Sequence, residues 1–423
     1  MKIKSALATI ALLASSALGA TRVSFDASNN TVIDGKTIFP ISLAILPPAD
    51  AKSPQGKSAW DEFADGGVNL VRVTPHSEGN AAWDAEGYQT ATEYMNHLAP
   101  ANLYVWMTLR PELSFVDPGE EKKLEKLKKV IETYKDHPAL MGWKAADEPL
   151  WGNMNTHGKR PPSSLALTYQ TIHELDPNHP VIVLQAPRGT ADENAAYDPY
   201  LDVTGMDVFP IGYPPGGHVP TWPNKEISMV GDWTKIIVDA ARGKPVWMTL
   251  QITFSGVTPT EKQPNRIIRF PTFEQERFMT YEAIINGARG INYFGGAAPT
   301  TLNERDAKLG FNWTFWNRIL KPLLAEINEK SPLHAALLAP NSTLPVKVDG
   351  KGIEYVVREV GSDVYILACK REGDTIQVHF TGLPGTSTSG EVLFEEPRKV
   401  SAKDGSFTDW FAPFDVHVYK FHK

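Results

Sequence analysis

The sequence predicts a (β/α)8 barrel followed by a small antiparallel β-sandwich, on three observations. Short apolar runs alternate with amphipathic helical stretches between residues 37 and 330, which is the pattern of parallel strands joined by right-handed crossovers. The Gly-x-Gly-x-x-Gly fingerprint of the open, doubly wound alternative is missing, so a closed ring is the preferred solution. Beyond Pro332 the pattern gives way to short strands punctuated by tight turns, an antiparallel signature.

Size and composition agree. A chain of 423 residues exceeds one average domain but suits a barrel of roughly 250 to 300 residues plus a module. Hydrophobic residues make up 42% and charged residues 22%, near the averages of folded globular proteins. The 42 basic and 49 acidic residues leave a net charge of -7 with no basic run, which argues against nucleic acid or an anionic membrane surface as partner. A monomer is expected.

The N-terminus reads as an address. Lys2 and Lys4 precede the short apolar core Ser5 to Leu18, and Ala17-Leu18-Gly19-Ala20 supplies the small residues a signal peptidase needs. That core is shorter than the roughly 20 residues of a membrane span. Residues 1–20 are therefore expected to be a signal peptide, 21–335 the barrel and 336–423 the β-sandwich domain. The protein is expected to be secreted or extracellular, or periplasmic in a Gram-negative host. Cys369 is the only cysteine. It ends an apolar run and reads as a buried thiol rather than a nucleophile.

Next comes a hairpin-like stretch, Arg22 to Lys36, whose Asp34-Gly35 pair supplies the positive φ of a tight turn. It reads as a lid over the barrel base. Barrel strands are expected at Thr37–Leu46, Val68–Thr74, Leu103–Leu109, Leu140–Ala146, Val181–Leu184, Val203–Phe209, Val246–Leu250 and Ile291–Phe294. Between the third and fourth, Leu124, Leu127, Val130, Ile131 and Tyr134 mark one face of a charged helix. Another helix starts at Thr272, where Gln275 completes a capping box. In the C-terminal part, Asp349-Gly350, Gly361-Ser362-Asp363 and Gly382-Leu383-Pro384-Gly385 mark turns, and residues 414–421 read as the final strand.

A barrel of this kind places its chemistry at the C-terminal ends of its strands. The fourth run ends in Asp147-Glu148-Pro149-Leu150-Trp151. Two adjacent carboxylates at a strand end suit glycosidic cleavage, which needs an acid to protonate the leaving oxygen and a second group to attack or stabilise the oxocarbenium-like centre. A surface pair opening a loop is the structural alternative. The stretch from Lys135 to Trp143 followed by Asp147-Glu148-Pro149 resembles the fourth-strand region of clan A glycoside hydrolases, where the motif is usually Asn-Glu-Pro. The resemblance runs from about Thr37 to Lys330 and includes residues 205–210 after strand six and 243–247 in strand seven. It implies that Glu148 is the proton donor, with Asp147 in the place of the usual Asn.

One departure matters. The clan's nucleophile is a Glu ending strand seven, and Gln251 stands there instead. Three readings remain open: an inverting reaction with Asp207 or Asp147 as base, a substrate-assisted N-acetylhexosaminidase using Asp147 and Glu148, or a non-catalytic carbohydrate-binding protein on the same scaffold. The expected activity is cleavage of O-glycosidic bonds in a poly- or oligosaccharide, with Glu148, Asp207 and Asp147 as catalytic candidates. Trp151, Tyr213, Trp222 and Gln251 are candidates for binding sugar, and Arg72 for binding its hydroxyls. Trp143, Trp247, Phe254, Arg110 and His76 also fall near strand ends, the first two with core packing as an equal alternative. No cofactor is expected, nor a metal, because His137, His173 and His179 lack ligand spacing, and no Gly-x-Ser-x-Gly elbow marks a serine hydrolase.

Overall fold

The computed structural model describes residues 20–75, 83–152, 159–212, 218–219, 221–252, 269–297 and 301–423. The expected leader therefore lies outside the described residues apart from Ala20. Three short antiparallel strands, Val23–Phe25, Thr31–Ile33 and Lys36–Ile38, come first. Their tight turn has positive φ at both Asp34 (49°) and Gly35 (83°), the requirement of a two-residue hairpin loop.

Eight parallel strands follow: β1 (Ile41–Leu43), β2 (Leu70–Val73), β3 (Tyr104–Thr108), β4 (Leu140–Asp147), β5 (Val181–Gln185), β6 (Val203–Met206), β7 (Trp247–Gln251) and β8 (Gly290–Phe294). They pair in the order β7-β8-β1-β2-β3-β4-β5-β6. Bridges from Thr204 to Val246 and from Asp207 to Thr249 join β6 to β7 and complete the ring. Amphipathicity seats the helices outside. Glu121–Tyr134, for example, buries Leu127, Val130, Ile131 and Tyr134, the stripe that its spacing predicts.

Inside the barrel, Leu70, Trp106, Met141, Ile182, Leu184, Val203 and Trp247 form one cluster, with Trp106 and Trp247 edge to face at 6.2 Å. Ile33 and Ile38 of the N-terminal strands belong to the same cluster. The hairpin thus plugs the base, at the end of the barrel opposite the C-terminal mouth.

The C-terminal strands are β9 (Lys347–Asp349), β10 (Ile353–Val360), β11 (Asp363–Lys370), β12 (Ile376–Thr381), β13 (Ser389–Leu393), β14 (Arg398–Ser401), β15 (Phe407–Phe411) and β16 (Val416–His422). They form a three-stranded sheet, β9-β12-β15, and a five-stranded sheet, β10-β11-β16-β13-β14, whose facing side chains share a core. The last strand starts at Val416 rather than at Phe414, because Phe414 is left-handed (φ 67°) and cannot continue an extended ladder. Cys369 is buried and in no disulfide.

Candidate functional site at the barrel mouth

The site grows out of an irregularity in β4. In a regular strand, residues three apart point to opposite faces. Here the pairing with β5 slips, Lys144 opposing Ile182 and Ala146 opposing Val183, and the additional residue resets the alternation. Lys144 and Asp147 consequently share a side, and Lys144 Nζ donates to Asp147 Oδ1 at 2.5 Å. Glu148 follows with φ 52°, a conformation that costs a non-glycine residue energy and is characteristic of functional sites. Its N–H donates to the Leu184 carbonyl at 2.7 Å, and its own carbonyl accepts from Trp151 N–H at 3.1 Å. The Glu148 side chain is 8% exposed. Just beyond β5, Arg188 feels the charge of Glu148, which opposes the lowering of the guanidinium by burial.

Asp207 follows the last residue of β6. Its N–H donates to the Gln185 carbonyl at 3.0 Å, and its backbone bridges Thr249 of β7. Burial, and then the charge of Asp147, push its carboxyl up to about 6 against the opposing pull of Lys144, the Thr249 hydroxyl and Arg72. Asp147 goes the other way. Burial works against its ionisation, but Lys144, Arg72 and Arg110 together hold it below the usual carboxylate range. Two neighbouring carboxyls whose proton affinities diverge are equipped for different tasks. Lys144 sits between them, its ammonium lowered by burial against the opposing charges of Asp147 and Asp207 and 5.8 Å from the Trp106 ring.

Gln251 is fully buried and committed. Its Oε1 accepts from Ile211 N–H at 2.7 Å, and its Nε2 donates to the Ile211 carbonyl at 2.9 Å. Both halves of the amide are used in fixing the segment after β6. A carboxylate accepts but does not donate, so a glutamate here would leave the Ile211 carbonyl without its donor. Gln251 is a brace in this structure.

The other candidates separate. Arg72 lies at the mouth, its guanidinium 5.6 Å from the Phe294 ring. Trp151 is at the rim and 45% exposed, with Arg188 stacked on its face at 4.9 Å. Trp222 is taken up elsewhere: its ring packs on Trp233 at 4.5 Å and its Nε1 donates to Asp232 at 3.2 Å, so it props the helix Met229–Ala240. Trp143 is core, donating to Asp176 at 2.7 Å, and Trp247 fills the barrel. Tyr213, Phe254 and His76 lie outside the described residues.

Several mouth residues escaped the sequence reading. Lys144 is one, although a lysine inside the apolar run Leu140–Ala146 was a usable signal. Arg188, Phe209, His218 and Phe294 are others. Phe209 stacks between His218 (4.8 Å) and Phe294 (5.2 Å). His218 accepts from Phe209 N–H through Nδ1 at 3.3 Å, and burial with nearby Arg188 pushes its imidazole down to about 3. It is a neutral wall. The fully buried Gln185 side chain has no hydrogen-bond partner among the described residues.

An eight-stranded barrel with acidic groups at its C-terminal mouth and antiparallel sheets behind it has the fold of the TIM-barrel glycoside hydrolases. Among solved structures it resembles a family 5 glycoside hydrolase from Bacteroides vulgatus, at 13% identity over 96% of this chain and 93% of the other, with a TM-score of 0.61. A second match, described as a glycoside hydrolase, has 13% identity, covers 96% and 97%, and has a TM-score of 0.59. An α-amylase from Geobacillus thermoleovorans, complexed with acarbose, has 12% identity, covers 95% and 100%, and has a TM-score of 0.53. At such identities the likeness is one of fold. No protein-family model and no curated protein matches the sequence.

Proposed function

We propose that the chain is a secreted glycoside hydrolase that cleaves O-glycosidic bonds of a poly- or oligosaccharide by inversion, with Glu148 as general acid and Asp207 as general base. The observation that carries this reading is the divergence of the mouth carboxyls: Asp207 is pushed up to about 6 while its neighbour Asp147 is held ionised. A base with that affinity is ionised at neutral pH yet still accepts a proton effectively. Glu148 protonates the leaving oxygen, and Asp207 takes a proton from the attacking water on the opposite face of the sugar. Asp147 remains anionic and favours the developing positive charge. Its commitment to Lys144 supports Asp207 over Asp147 as base, and makes the steering of an acetamido group by Asp147 the weaker reading.

The test is Glu148→Gln. Loss of the transferable proton is expected to slow hydrolysis of unactivated glycosides by roughly 10²-fold or more while sugar binding persists; a wild-type rate removes Glu148 as the acid. The locked Gln251 supports a second reading, a sugar-binding protein without turnover. Binding without hydrolysis by the wild-type chain, across a panel of polysaccharides and aryl glycosides, would establish that reading instead.

A further inference from the structure

We infer that the C-terminal domain sets a wall of the mouth: Arg371 fixes Asp232, and Asp232 holds the arm of chain that carries His218. The inference concerns the shape of the mouth and stands apart from the reaction proposed for it. Arg371 follows the last residue of β11. Its Nη1 donates to Asp232 Oδ1 at 2.6 Å and to Glu354 Oε1 at 3.1 Å. Asp232 lies on the barrel helix Met229–Ala240, and Glu354 lies on β10. One guanidinium therefore joins a carboxylate of the barrel to a carboxylate of the C-terminal domain, and without it two like charges face each other across the seam. The next residue, Glu372, makes a second crossing by accepting from the hydroxyl of Ser228, just before the same helix.

The other oxygen of Asp232 serves the arm. Its Oδ2 accepts from Trp222 Nε1 at 3.2 Å and from Asn224 Nδ2 at 3.0 Å. Burial works against ionisation of this carboxyl, but Arg371, Asn224 and Trp222 together hold it below the usual carboxylate range. It is kept charged by the groups it joins, and hydrogen bonds to a charged acceptor are the stronger kind. The arm then continues to the mouth. The carbonyl of Val219, which is fully buried, accepts from Trp222 N–H at 3.0 Å and from Lys225 Nζ at 3.2 Å. Beside it, His218 stacks on Phe209 at 4.8 Å, and its carbonyl accepts from Arg188 at 3.2 Å. A continuous path of contacts thus leads from Arg371 through Asp232, Trp222 and Val219 to the imidazole in the wall. Arg371 and Asp232 touch no mouth group themselves in this path; they are positioning residues.

The test reads the wall itself and needs no glycan, so it stands whether or not turnover is found. Histidine NMR spectra of the full chain are recorded against pH, with His218 assigned by the signal lost in His218→Gln. In the wild type, burial and the charge of Arg188 push this imidazole down to about 3. Arg371→Met releases the arm and admits water to the ring. The proton affinity of His218 should then rise at least about tenfold, toward that of an ordinary imidazole, and the shift imposed on it by the Phe209 ring should shrink. Lys235→Gln is the control, because Lys235 Nζ donates to Glu354 at 2.5 Å across the same seam and that bond does not reach the arm. It should lower the melting temperature and leave the His218 signal in place. A His218 signal that Arg371→Met leaves unmoved, or that Lys235→Gln moves as far, overturns the inference. Should Arg371→Met fail to fold, Asp232→Asn takes its place, since it keeps an acceptor oxygen for the arm but loses the charge that Arg371 pairs with. The same change at His218 supports the inference, and an unchanged spectrum overturns it.

Discussion

At Asp207, burial and the neighbouring Asp147 act in the same direction, and the result is measurable as stability. The carboxyl binds its proton more tightly in the folded chain, about 6 against an ordinary 3.8. Its contribution to stability is therefore complete below the ordinary value and is lost as the pH rises through about 6. Asp207→Asn cannot ionise. It is expected to be more stable than wild type at pH 7.5, by roughly 1–3 kcal/mol, with the difference vanishing near pH 4 in calorimetry. An unchanged or lower stability at pH 7.5 would contradict the raised affinity. Gln251→Glu tests the brace: the Ile211 carbonyl loses its donor and a charge is buried, so stability should fall by about 1–3 kcal/mol. No activity should be gained, because a nucleophile must be held within about 0.5 Å by its surroundings; a gain would return β7 to the chemistry. The adjacent acids of β4 were legible, because the end of an apolar run in a barrel marks the mouth. The Lys144–Asp147 pair was not, since strand alternation places residues three apart on opposite faces and only the register slip reunites them.

Strands were the most legible elements, because each is a short apolar or β-branched run bounded by polar or turn residues. The run Thr37–Leu46 is the exception. It splits into Lys36–Ile38 and β1 around Pro40, which has no N–H to give to a ladder but whose carbonyl accepts from Ile291 at 2.9 Å. The helix opening at Thr272 formed with its expected capping box. The helix Phe273–Ile285 packs against both the barrel and the C-terminal strands. It buries Glu276, Arg277 and Glu282 as well, and Arg277 is paired through Nε with both oxygens of Glu326 at 3.0 and 2.9 Å. Sequence periodicity reports one buried face, not two. The seam between β6 and β7 also depends on a single glycine. A Cβ on Gly205 would lie 1.7 Å from the Trp247 carbonyl oxygen, which is backbone and cannot swing aside. Gly205→Ala is expected to destabilise the barrel by about 3 kcal/mol in denaturant titration. A neutral result would mean that β6 and β7 are not held at this separation.

Across the whole molecule, one core continues from the barrel into the C-terminal strands. Tyr365, Leu367 and Cys369 of β11 join the barrel core, while Val364, Ile366 and Ala368 face the sandwich interior. The strand is apolar on both sides because both sides are covered, which explains why its sequence showed a strand but not its two partners. With the base plugged by Ile33 and Ile38, with β7 offering a brace instead of a nucleophile, and with the acids at the ends of β4 and β6, the proposed reaction is inversion. In the proposed reaction attack comes from water activated opposite Glu148, and the two carboxyls of an inverting pair stand about 6.5–9.5 Å apart to admit it. Proton NMR of the first sugar released by the wild-type chain tests this most directly: the account predicts a new reducing end with the anomeric configuration opposite to that of the substrate, and a retained configuration from a substrate without an acetamido group, or no new reducing end from any glycan the mouth binds, would contradict it.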